Sequence, residues 1–375
     1  MRRKAHVLRK TVFLLFAILM FSLGVFAEEN DMGDKESTLL DRMFSLSEES
    51  GQLSPDDVQN LGQQAADALS PESIWNFGID RLGEALKNSF AVFPLLLAVI
   101  LLSSVIGIFS ENLGSGTRLL ELACLLGVIS IVFGAVKPVI EQTDAFLEKY
   151  VSFMTAANAS ASLLLSSCGE VSAAAVSASS SAFVVGLMQI LSHSVVLPCV
   201  KIVLAFGVLS TLSKTLDLSG VINFIRNFCT WGLGVLFAVF GGIHAAAVRT
   251  AAGADNAAVR GIRFTAARLV PIAGNMLSEC FRTVLGAANV IKGTFGALGI
   301  AYLLYLVIPT LCTVLAVKFS VLFALFCSKL MGTRPFTGFL ESVGSSLNIL
   351  IAICLFASVS GIILFAACTE TALSV

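Results

Sequence analysis

A few polar residues stand inside long apolar runs, and they are the first candidates for chemistry. Glu170 lies within an Ala- and Ser-rich stretch, 151–181, that contains MTAANASAS and VSAAAVSASSS; Ser172, Ser177 and Ser180 follow it. The next apolar run, 183–212, is interrupted by Gln189, His193, Pro198 and Lys201. A charge in hydrocarbon is expensive, so Glu170 and Lys201 are expected to face a partner group or water. Serines at this density have two readings. They let two helices approach closely, with hydroxyls bonding across the contact or back to their own backbone, or they line an aqueous cavity. Glu170, Ser172, Ser177, Ser180 and Lys201 are therefore the candidate lining residues. His193 has no acidic or cysteine partner at ligand spacing along the chain, which reads it as a bonded core histidine.

A second kind of chemistry is offered by the stretch 249–296. It carries Arg249, Arg260, Arg263, Arg268, Arg282 and Lys292 against Asp255 and Glu279, with apolar runs on both sides. At 100° per residue, Arg260, Arg263 and Arg268 fall within an arc of about 140° on a helix, opposite Ile262, Ala266 and Leu269. Phe264 sits on the basic side and makes the amphipathicity imperfect. Asp255 or Asn256 is the candidate cap of this helix and Pro271 its stop. The plain reading is a cytoplasmic loop that fixes orientation by its positive charge. The sharper one makes Arg260, Arg263, Arg268 and Lys292 contacts for a partner or for anionic lipid, worth about 1 kcal/mol per basic residue near a charged surface.

Other chemistry finds no support. There is no HExxH, no GxSxG, no Gly-rich phosphate loop and no pair of intramembrane aspartates, so neither a catalytic site nor an ATPase is predicted. The nine cysteines show no CxxC pairing and all fall in the apolar part of the chain; they read as small buried side chains, and no metal or cofactor is expected.

The elements that must position these residues follow from composition. Of 375 residues 56% are hydrophobic and only 13% charged, with a mean hydropathy of +0.89. Soluble domains carry about a quarter charged residues, so the chain reads as an all-α, polytopic membrane bundle of about six to eight spans. The first ten residues, MRRKAHVLRK, precede an apolar run that ends in Val25 and Ala27, which predicts a signal peptide over 1–27, cleaved after Ala27 or else retained as a first membrane anchor. Residues 28–90 hold 14 acids against Lys35, Arg42, Arg81 and Lys87 and read as an acidic extracytoplasmic segment. Ser54-Pro55 and Ser70-Pro71 mark two helix starts there. The second helix places Trp75, Ile79, Leu82 and Leu86 on one stripe, for the membrane surface, a partner or the protein's own bundle.

The multispan domain then occupies 91–375, with its basic cytoplasmic loop at 249–292. Spans are expected at 91–109, 119–136, 228–246, 295–317 and 343–367, with a connection over 137–150 and a break near Pro198. Residues 319–330 are too short to cross alone and read as re-entrant or half-buried.

The central region also resembles a known family. Arg260-Gly261-Ile262-Arg263, Leu269-Val270-Pro271-Ile272-Ala273-Gly274 and Ile291-Lys292-Gly293-Thr294-Phe295-Gly296 are similar to the signature of the stage III sporulation protein AE family, with Asp255 where members carry an acid. Gly293 stands where Asn is usual and Arg282 where an acid is expected. The resemblance implies a component of a channel or secretion-like complex linking mother cell and engulfed forespore, in the mother-cell membrane, needed for late forespore development. It implies partners among other stage III sporulation membrane proteins, including an ATPase and a forespore-side protein, besides membrane lipid; nucleic acid is not among them. A stand-alone solute permease is the alternative, against which there are few intramembrane charges and no matching pair of discontinuous helices.

Overall fold

The computed structural model describes residues 70–90, 92–113, 116–167, 171–212, 218–269 and 274–373. The expected signal peptide, the acidic residues 28–69 with the Ser54 cap, and Glu170 lie outside them. The described residues form α1 (Pro71–Phe90), α2 (Val92–Leu113), α3 (Gly116–Ser167), α4 (Val171–Ile190), a π-helical segment (Leu191–Val196), α5 (Leu197–Leu212), α6 (Ser219–Leu269), α7 (Gly274–Met331) and α8 (Arg334–Leu373). Among the described residues, six stretches are long and apolar enough to cross a membrane: Glu72–Ile106, Leu119–Ser166, Val171–Leu212, Ser219–Gly242, Val290–Met331 and Phe336–Ala366.

Local signals explain several boundaries. The Ser70 Oγ accepts the Ser73 N–H at 3.2 Å and caps α1, with Pro71 in the first turn where a missing N–H costs nothing. Gly332, at φ 71°, makes the turn from α7 to α8. Ser328 and Thr333 hydroxyls pair at 2.8 Å beneath it, and Lys329 meets Glu341 at 2.6 Å across it. Before Pro198 the helix widens instead of ending. Proline lacks the N–H and its ring presses on the carbonyl four residues back; the Leu197 N–H donates five residues back, to the Ser192 carbonyl.

Three expectations are corrected. Residues 137–150 are not a connection but the middle of α3, 52 residues long. Apart from Pro138, nothing there breaks a helix: Lys137 pairs with Glu141 one turn on at 3.6 Å, and the Thr143 hydroxyl bonds the Val139 carbonyl at 2.8 Å. Residues 319–330 likewise continue α7 without interruption past Lys318. No helix starts at Asp255 or Asn256, because α6 runs unbroken from Ser219 to Leu269; the expected stop at Pro271 lies outside the described residues. At 1.5 Å per residue α3, α6 and α7 are each roughly 75–90 Å long, more than twice the thickness of a hydrocarbon core.

The core is the α7–α8 hairpin. Phe295, Leu298, Phe339, Leu347, Leu350 and Ile353 are fully enclosed. Close approach depends on two glycines that face large side chains of the opposite helix: Gly299 meets the Phe365 ring, and Gly361 meets Leu303. Around this hairpin, α3 adds Tyr150, bonded to the Ser360 hydroxyl at 3.1 Å, and Phe153, whose ring lies 4.2 Å from that of Tyr302. Gly207 brings α5 against Ser342. Helix α1 lies along α7 through the Phe77–Tyr305 ring pair at 4.5 Å and the bond from the Ser320 hydroxyl to the Ser89 carbonyl at 3.2 Å. Its expected stripe divides: Leu82 and Leu86 are half-buried, while Trp75 and Ile79 are 69% and 49% exposed.

Candidate functional site

The Ala/Ser stretch becomes the paired ends of α3 and α4. Ala157 and Ala161 of α3 and Ala173, Ala174, Ser177 and Ser181 of α4 are buried. Without bulk at these positions the two backbones come close enough for direct polar contact. The Asn158 amide donates to the Ala178 carbonyl at 3.2 Å, and its oxygen accepts from the Ser181 hydroxyl. Most other hydroxyls bond back along their own helix, as Ser162 does to Ala159, Ser166 to Ser162 and Ser179 to Val176. Packing of the helix pair therefore accounts for much of the serine content. A cavity of about 20 Å³ remains between Met154, Asn158, Ser177, Ser181, Leu364 and Phe365, room for about one water molecule.

The proposed lining residues do not converge. Ser177 lines the small cavity, Ser172 is exposed, and Ser180 is half-buried. The Ser180 hydroxyl bonds the Val176 carbonyl at 2.7 Å and lies 2.7 Å from His244 Nδ1 of α6. Lys201 is exposed on α5, beyond the π segment and roughly 30 Å along the helix from Ser180. The basic set divides as well. Arg260, Arg263 and Arg268 belong to the C-terminal part of α6. Lys292 is only 1% exposed, among the largest fully buried side chains, so it is not an outward contact for lipid or a partner.

The sequence reading missed His244 and placed His193 in the core, whereas His193 is exposed. His244 is buried, its ring stacked 5.5 Å from Phe240 and its Nε2 enclosed with no hydrogen-bond partner. His193 does have an acidic neighbour, Asp144, with Nδ1 and Oδ1 3.7 Å apart. The fold, not local spacing, supplies that neighbour, because it lays α3 antiparallel to α4 and the π segment. An aspartate and a glutamate one turn apart on α3 were the available signal, and they were read as connection polarity.

Comparison with known proteins adds a family. The model of the Stage III sporulation protein AE family matches residues 56–372. The chain is similar to Stage III sporulation protein AE of Bacillus subtilis (strain 168), with 24% identity over 164 residues. That alignment covers 44% of this chain and 41% of the relative, less than half of either. No solved structure matches the chain.

Proposed function

Because the chain belongs to the stage III sporulation protein AE family, we propose that it is a multi-pass subunit of a channel or secretion-like complex joining mother cell and engulfed forespore, seated in the mother-cell membrane and needed for late forespore development. The observation that carries this reading is the family match across 56–372; six stretches able to cross a membrane support its membrane part.

Two features suit a subunit of a larger assembly. Helix α6 passes beyond its apolar stretch Ser219–Gly242 and continues to Leu269, a continuation that includes Arg260, Arg263 and Arg268. That basic arc is the docking element for a cytoplasmic partner, the ATPase expected of such a complex. Within Ser219–Gly242 only 11% of the apolar window is buried, and Phe224, Phe228 and Trp231 face outward. Lipid or a neighbouring subunit covers that face.

The test is the double substitution Arg260→Glu and Arg263→Glu in a sporulating strain. The variant should insert at normal levels yet lose most co-purification of its partners and most heat-resistant spores. Unchanged co-purification and normal sporulation would remove α6 as the docking element. Solute uptake by the purified chain alone in vesicles would instead favour a permease.

A further inference from the structure

We propose that Asp144, Glu148 and His193 form a binding site for one divalent transition-metal ion of the zinc class. Each offers one ligand atom, and the three atoms lie within 4.8 Å of one another. Asp144 Oδ1 and His193 Nδ1 are 3.7 Å apart. That is too long for a hydrogen bond, but it is close to the separation of two ligands that share one ion at about 2.0–2.2 Å in tetrahedral geometry. Asp144 Oδ1 is itself buried and makes no hydrogen bond. A buried carboxylate oxygen with no donor, aimed at an imidazole nitrogen across a gap of this size, is the arrangement that a cation completes.

Sequence and fold both build the trio. Asp144 and Glu148 are four residues apart on α3 and share one face. His193 comes from the π-helical segment that Pro198 imposes, and such local widenings of a helix are often found at functional sites. Charge favours the same conclusion. Two carboxylates one turn apart repel each other, and a singly charged imidazolium balances only one of them. A divalent ion with a neutral imidazole balances both. One imidazole with two carboxylates suits a borderline ion such as zinc.

Glu148 is exposed, and the His193 and Asp144 side chains are 48% and 39% exposed. The fourth position of a tetrahedral ion is thus left to solvent or to a partner's ligand. Bound metal would tie the polar middle of α3 to the π segment, fixing the register of the α3–α4 pair.

The experiment uses the full chain in detergent micelles, stripped with chelator and titrated separately with zinc, cobalt, magnesium and calcium. Calorimetry with zinc should show one equivalent bound by the wild type and absent from the triple variant Asp144→Asn, Glu148→Gln, His193→Gln. Each single substitution should weaken binding by at least about tenfold, the scale on which even supporting residues act. Lys137→Gln with Glu141→Gln, about two turns and one turn from Asp144 on the same helix, should leave binding unchanged.

Cobalt gives a readout that needs no variant. Intense visible bands of a tetrahedral nitrogen- and oxygen-ligated ion support the site. Thiolate charge-transfer bands place the metal on cysteine and overturn it. So would no zinc uptake by the wild type, or equal uptake by the triple variant. Binding of magnesium or calcium in place of zinc refutes the assigned metal class.

Discussion

Replacing Gly299 with alanine tests the claim that the α7–α8 hairpin is set by backbone proximity. A Cβ added at Gly299 would lie 2.4, 2.5 and 2.8 Å from three carbons of the Phe365 ring. Carbon atoms rest about 3.5–4.0 Å apart, so ring or helix must give way by roughly 1 Å. The ring has little room, since Phe153 and Phe295 hold it at centroid distances of 5.7 and 6.1 Å. Overpacking of this kind costs about 1–3 kcal/mol. The better helix propensity of alanine returns at most about 1 kcal/mol. A net loss of about 1–2 kcal/mol is expected, near a tenfold change in the folding equilibrium. Reversible unfolding in mixed micelles by added SDS, followed by circular dichroism, measures it. Gly232→Ala and Gly234→Ala are the controls, because a Cβ there meets nothing within 4 Å; both should be neutral or stabilising. Combining Gly299→Ala with Phe365→Leu should cost less than the sum of the two alone. A Gly299→Ala protein as stable as wild type, or controls equally damaged, would refute close packing as the determinant of this hairpin.

Tyr150→Phe removes the hydroxyl that meets Ser360 at 3.1 Å, while Ser360 keeps its bond to the Ala357 carbonyl at 2.9 Å. No stranded donor results, and the loss should be near the ordinary value for one hydrogen bond, about 0.5–1.5 kcal/mol, in the same unfolding assay. Single cysteines at Ser172, Ser177 and Ser180, in a background without native cysteines, should react with a membrane-impermeant thiol reagent in the order of their exposure, Ser172 first and Ser177 last. Absence of labelling at all three would end the cavity-lining reading of this stretch.

The sequence announced the helical membrane class and several of the boundaries, because those rest on composition and on local backbone chemistry. Ser70 capping α1 is a signal contained within a few residues. Pro198 announced an irregularity, but not that the helix would widen and continue. The polar middle of α3 was misjudged for a physical reason: charge makes a segment soluble, whereas only Gly, Pro and capping residues make it turn. Lys292 shows the reverse error, since a cation's place along the chain says little about whether its stem is enclosed. The partners of His193 and His244 were invisible because antiparallel packing chooses them, and no spacing along the chain encodes that choice.

The unbroken course of α6 has a mechanical consequence. A basic loop tethered to a span would absorb a partner's pull in its own slack. Here the basic arc and the span are one rod of 51 residues, roughly 76 Å from end to end. For such a rod a tilt of about 5° carries the far end about 7 Å sideways. Force applied at Arg260–Arg268 would therefore reach the bundle as leverage on Gly241 and its neighbour Ile363 of α8, with almost no compliance between them.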